Sequence, residues 1–308
     1  MPQPMRLAAL VCFACCVAML MVSPPAGAAN EEATRIGGID VVVWTPSDGR
    51  HEHLAVVVFS HALYLCPTQS RYLTEVLADA GYLVIAPRHG DSGCSPSIRP
   101  SFWRMSGKPS PMWSDDDYRD RGEDIRTVVA ALADDPRYST MANLEQLALV
   151  GHSLGGYTVL GLGGAWPSWR LPGVRAIVAM TPYSLPFESS EGLRHISVPV
   201  MYQAGSLDPI FTMPLEQFGY EETPAPKYLV KFPWANHMAW TDFGISSRDA
   251  IIAYMVAFLD HYVRDAPEAE LLHTALPGVA NLLHDSNAPL TMQQPRRTAN
   301  VHAVSELH

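Results

Sequence analysis

Five residues, Gly151-His152-Ser153-Leu154-Gly155, with Gly156 behind them, spell G-x-S-x-G. The pattern sets a serine on a strained turn between a buried strand and a helix, its hydroxyl exposed at the end of the sheet. Glycines flank it because the strand and helix backbones nearly touch there. The surroundings fit. Residues 147–150 are a short apolar run that reads as a strand, and residues 157–162 continue as the start of a helix. The plain alternative is a glycine-rich packing turn with an idle serine. A serine hydroxyl is a weak nucleophile until a base takes its proton and an acid orients the base. On this scaffold the acid and then the histidine follow the serine in chain order. Asp208 follows the predicted strand 198–203, and His237 follows the predicted strand 228–232, so both fall at strand ends. A turn-forming aspartate before Pro209 is the alternative role for Asp208. Glu188, Glu191 and Asp242 are reserve acids.

Such a serine needs two backbone N–H groups where negative charge develops. Leu154, the residue after the nucleophile, supplies one. Ala62 or Leu63, in the loop after the predicted strand 54–59, supplies the other. His61 and His152 flank this loop and the elbow, and read as scaffold. His51 and His53 are two residues apart, but no third ligand lies near, so no metal is expected. The sequence calls for no cofactor.

Several elements must position these residues. Apolar runs at 54–59, 82–86, 147–150, 176–180, 198–203 and 228–232 read as strands, and 39–44 as one arm of an antiparallel hairpin. Residues 70–80, 120–133 and 247–263 carry apolar side chains at helical spacing, and 271–283 reads as a short docked helix. Strands and helices that alternate predict an α/β fold with a mainly parallel central sheet and helices on both faces. The connection from Met180 to Val198 is too short for a large lid domain. The notable insertion is 91–114, polar and rich in Pro and Ser, with Phe102, Trp103 and Trp113. With Tyr64, Trp234 and Trp240 these form a candidate aromatic substrate rim at the carboxyl edge of the sheet. Equally, some of them pin the loop to the body.

Residues 1–29 read as a secretory signal peptide. Arg6 gives the positive start, residues 7–22 an apolar run, and Ala26-Gly27-Ala28 a cleavage site. Residues 30–265 read as the catalytic domain and 266–308 as a partly loose extension. No other stretch reaches the ~18 apolar residues of a spanning helix. The expected location is therefore secreted or periplasmic. Cys66 and Cys94 are the two cysteines outside the signal, and in an exported chain they suggest one disulfide. The net charge of −10 argues against nucleic acid as a partner.

Three segments carry a family resemblance: Val57-Val58-Phe59-Ser60-His61, the run from Gly81 to His89, and Gly151 to Gly156. Together they resemble the α/β-hydrolase superfamily, over roughly residues 39–264. Within it they look like the serine-nucleophile branch of dienelactone-hydrolase-like proteins. They are also similar to plasma platelet-activating-factor acetylhydrolases and bacterial polyester hydrolases. The chain departs twice from that pattern. Dienelactone hydrolases carry cysteine where Ser153 stands, so their substrate is not carried over. The family's Ser-His-Gly reads Ser60-His61-Ala62 here. The resemblance implies the α/β-hydrolase fold and a serine esterase acting on a small-molecule or lipid-like ester. Acyl transfer on the same triad is one alternative, and a non-catalytic binding protein on a hydrolase scaffold is another.

Overall fold

The computed structural model describes residues 29–94, 109, 112–209 and 213–286. Its strands are β1 (Asn30–Ile36), β2 (Ile39–Thr45), β3 (Leu54–Ser60), β4 (Tyr82–Pro87), β5 (Ala142–His152), β6 (Val174–Met180), β7 (Val200–Gly205), β8 (Lys227–Phe232) and β9 (Asn281–Asp285). Between them run helices α1 (Arg71–Asp79), α2 (Arg119–Leu132), α3 (Leu154–Leu160), α4 (Met213–Glu222) and α5 (Arg248–Arg264). The strands form one mixed sheet in the order β1-β2-β4-β3-β5-β6-β7-β8-β9. From β4 through β8 all neighbours pair parallel, and the outer pairings β1–β2, β2–β4 and β8–β9 are antiparallel. The α/β class and the mainly parallel sheet are as the sequence predicts.

Apolar character on both strand faces dictates the layering. All seven residues of β3 are buried. Val56 and Val58 pack into a core with Ile125 and Val128 of α2 and Tyr157 of α3. Ala55, Val57 and Phe59 pack the other way, with Leu73 and Leu77 of α1 and Ile251 and Phe258 of α5. Alternate residues of a strand point to opposite faces, so a continuous apolar run requires a helix layer on each side. Fully burying one such side chain stabilises by roughly 1.5–3 kcal/mol.

Topology then chooses where the site lies. The chain leaves β3 for β4 on one side and later returns to place β5 on the other side of β3. The loops leaving β3 and β5 therefore sit side by side and head into different connections. Ligand crevices form at such switch points, beyond the carboxyl ends of the strands.

Two elements differ from expectation. β1 is polar and largely exposed, so no apolar pattern marks it; its pairing with β2 through Gly37 and Gly38, both at positive φ, makes it a hairpin arm. Residues 271–283 do not form a helix. One 3-10 turn, Glu270–Leu272, is followed by β9, which pairs antiparallel with β8. Pro277 and Gly278 (φ +89°) break the helical path, and the outer edge of β8 supplies backbone partners. β8 is thus not the last strand.

A disulfide joins Cys66 and Cys94, with Cα atoms 5.5 Å apart, and ties the loop after β3 to the loop after β4. Among the described residues no helix is long and apolar enough to cross a membrane. The predicted signal segment apart from Ala29, the end of the C-terminal extension, and Phe102 and Trp103 lie outside the described residues.

Candidate active site

Ser153 follows β5 and stands at the N-cap of α3 with φ 57° and ψ −116°, a conformation a non-glycine residue adopts only under restraint. The restraint is visible. Its N–H donates to the Met180 carbonyl (3.0 Å), and its carbonyl accepts from Tyr157 and Tyr183, each at 3.1 Å. A Cβ on Gly151 would run into the Gly155 carbonyl, and one on Gly155 into the Ser60 carbonyl. The two glycines are what let β5, α3 and the end of β3 meet.

His237 sits on the loop after β8, and Asp208 on the turn after β7. That turn is built by Ser206 N–H donating to Phe232 O (2.9 Å), Leu207 N–H to Ala235 O (2.9 Å) and Asp208 N–H to Gly205 O (3.1 Å). The two loops are thereby bonded to each other before any side chain is considered. His237 Nε2 lies 3.0 Å from Ser153 Oγ, and His237 Nδ1 lies 2.7 Å from Asp208 Oδ2. The Asp208 side chain has no solvent exposure, while that of His237 is 13% exposed. A buried carboxylate on one ring nitrogen and a reachable hydroxyl on the other is the arrangement a base requires. The reserve acids lie apart from it: Glu188 and Glu191 are exposed, and Asp242 Oδ1 accepts from the Tyr72 N–H (3.1 Å).

The N–H groups of Leu154 and Leu63 have no hydrogen-bond partner among the described residues. Ala62 differs from expectation. Its N–H donates to Gln69 Oε1 at 2.8 Å inside the protein, so it cannot also serve an oxyanion. Of the two candidates, Leu63 is the one whose N–H is not engaged in this way.

Two members of the expected aromatic rim are buried. Trp240 is 0% exposed, stacks near His152 and donates its Nε1–H to Gln203 Oε1 (2.9 Å). Trp113 is buried against Tyr118, Tyr157 and Tyr183. Both indoles have the large flat area that a core fills best, and neither faces solvent. Tyr64 is half-buried. Trp234 is 72% exposed, and three apolar neighbours on the acid and base loops, Leu207, Phe243 and Ile245, are exposed with it. The Ser246 hydroxyl donates to the Trp234 carbonyl (3.1 Å), which ties the two ends of the loop after β8 together.

Sequence reading missed a buried polar cluster behind the loop after β3. Ser60 Oγ lies 3.0 Å from His89 Nε2, and His89 Nδ1 lies 2.9 Å from Asp124 Oδ2. Arg121 grips Asp91 through two hydrogen bonds (3.0 and 2.9 Å) and donates to the His61 carbonyl (2.8 Å). Burial would raise the Asp91 carboxyl, but the Arg121 charge and its hydrogen bonds hold it below the usual carboxylate range. Burial pushes His61 and His89 well below the ordinary histidine value, and the Arg121 charge adds to it. Asp124 is raised to about 6, chiefly by burial. His61 is scaffold, as expected: its Nδ1–H donates to Ala62 O (2.8 Å), and its Nε2 accepts from the His89 N–H (3.2 Å). His51 and His53 are exposed just before β3, at the opposite end of that strand from Ser60 and the oxyanion loop. No periodicity or motif announces this cluster, because its members come from three separated segments.

Neither any protein-family model nor any curated protein matches this sequence.

Proposed function

We propose that the chain is an exported serine hydrolase of the α/β-hydrolase fold that cleaves carboxylic esters. The observation that carries the reading is the Ser153–His237–Asp208 alignment, at 3.0 and 2.7 Å, around a serine at φ 57°. In this reading Ser153 Oγ attacks the ester carbonyl carbon while His237 Nε2 takes its proton. Asp208 faces the imidazolium that forms. The N–H groups of Leu154 and Leu63 receive the carbonyl oxygen as it becomes an oxyanion. The tetrahedral species collapses with loss of the alkoxide, which leaves as alcohol with the proton from His237. A water then attacks the acyl-enzyme, and His237 takes the water's proton. The second collapse breaks the bond to Ser153 Oγ, which recovers that proton, and frees the acid.

The exposed apolar rim of Leu207, Trp234, Phe243 and Ile245 favours uncharged acyl or aryl esters over charged substrates. The disulfide suits an oxidising compartment. The test is a fluorophosphonate probe followed by peptide mass analysis, with p-nitrophenyl esters from acetate upward as substrates. Label on Ser153, lost in Ser153→Ala together with hydrolysis, is the expected result. A folded wild-type protein that takes no label and cleaves no ester sinks the proposal.

A further inference from the structure

The loop that carries Leu63 and the loop that carries His237 are joined by one chain of hydrogen bonds through two buried side chains. Ala62 N–H meets a side-chain atom of Gln69 at 2.8 Å. A backbone N–H can only donate, so the atom facing it is the amide oxygen and the other terminal atom is the NH2. That NH2 lies 3.0 Å from His152 Nδ1 and 3.2 Å from Ser70 Oγ. His152 Nδ1 must then accept, which puts the ring proton on Nε2. Nε2 lies 2.8 Å from the His237 carbonyl oxygen, which can only accept. Ser70 Oγ, having accepted, donates to the Trp240 carbonyl at 2.5 Å. Each donor and acceptor in the series has one consistent assignment.

We infer that Gln69 and His152 are positioning residues of the active site: together they fix the oxyanion loop and the base loop relative to each other. The inference rests on the reading of Ser153 as nucleophile and of His237 as its base. Gln69 turns the Ala62 N–H inward and so leaves the Leu63 N–H for the oxyanion. His152 holds the main chain of His237, and hence the origin of the ring that must reach Ser153. Further bonds join the same two segments: Asp242 N–H to Gln69 O (2.8 Å), and Tyr72 OH to Ala239 O (2.8 Å). The chemistry also needs His152 neutral. Its ring centroid is 5.0 Å from that of His237, which gains a positive charge in the reaction. Burial first, and the nearby His237 second, push His152 down to about 3, so it stays uncharged where the enzyme would work.

The decisive comparison is His152→Gln against His152→Phe in the full chain. Glutamine can accept from Gln69 and donate to the His237 carbonyl, while phenylalanine fills the ring volume and does neither. A displaced base costs about 10²-fold in rate. The expected result is therefore a kcat loss of about 10²-fold for His152→Phe, with KM little changed, and recovery of most of that loss in His152→Gln. If His152 serves only packing, the order reverses, and that order overturns the inference. A second measurement needs neither a variant nor activity. Histidine-selective ¹⁵N labelling of the wild-type protein reports the His152 tautomer. A proton on Nε2, with Nδ1 as acceptor, supports the relay, and the opposite tautomer overturns it. This measurement decides the relay if both variants fail to fold. If the wild type takes no fluorophosphonate label, the hydrolase reading fails separately, and the tautomer still judges the relay.

Discussion

Ser60 Oγ lies 3.0 Å from His89 Nε2, the same separation that joins Ser153 Oγ to His237 Nε2. The protein thus holds two serine–histidine–aspartate alignments, and physics separates their roles. Ser60 is fully buried at the end of β3, in an ordinary strand conformation with a guanidinium 3.4 Å away. No ester can reach it. Ser153 is half-buried at positive φ on a turn at the switch point. Ser60→Ala should therefore lower stability by about 1–3 kcal/mol, because a buried ring nitrogen loses its partner, with a much smaller change in kcat. Ser153→Ala should leave the melting temperature close to wild type and lower kcat by at least ~10³. Thermal melts and ester hydrolysis on the two variants check the pair.

Asp208→Asn keeps the shape of the acid and removes its charge. Hydrolysis should fall by orders of magnitude, about 10⁴-fold where the amide imposes the wrong tautomer on the base. Steady-state kinetics measure it, and near-full activity would move the acid elsewhere.

Acid should destabilise the fold before ordinary carboxylates titrate. His61, His89 and His152 are depressed in the folded chain, so the stability they contribute is present above the unfolded histidine value, near 6.5, and is lost as pH falls toward their folded values. Asp124 acts oppositely. Raised to about 6, it holds a proton in the folded chain between its ordinary value and 6 that the unfolded chain has lost. Across the window from about pH 6 down to 4, unfolding takes up protons at the depressed rings and releases one from Asp124, and the rings outnumber it. Denaturant midpoints should fall steadily across that window, and a flat profile would contradict the burial of the three rings.

Reduction of Cys66–Cys94 should destabilise by roughly 3–4 kcal/mol in the chain-entropy model, for a sequence separation of 28. The bond sits three residues past Leu63, on the same loop as Gln69, whose N–H donates to the Cys66 carbonyl (3.0 Å). Its loss should therefore lower kcat more than it weakens substrate binding. Intact-mass analysis with and without reductant, paired with kinetics, tests both parts.

Much of the candidate site was legible in the sequence because its signals are local. A strand, a sharp turn and a helix mark Ser153, and strand ends mark Asp208 and His237. The parallel core strands were legible because burial on both faces leaves an unbroken apolar run. What was not legible depends on partners distant in the chain. β1 shows its polar face to solvent and is a strand only because β2 pairs with it. β9 exists because β8 has an open edge, and its two leucines also suit a helix. Ala62 and Leu63 differ only in which N–H the Gln69 side chain reaches, and no local pattern encodes that. Trp240 and Trp234 are six residues apart on one loop, yet one is core and the other exposed, because the Trp240 indole N–H finds Gln203 inside.

The pairing of β9 with β8 also bears on how copies of the chain behave toward one another. β8 is the strand that delivers His237, and β9 occupies its outer row of N–H and C=O groups from Lys227 to Lys231. A chain cut before Asn281 would offer that row to the next molecule as a pairing template. Self-association that rises with concentration should then appear first at this edge, and it would pull on the segment that positions His237.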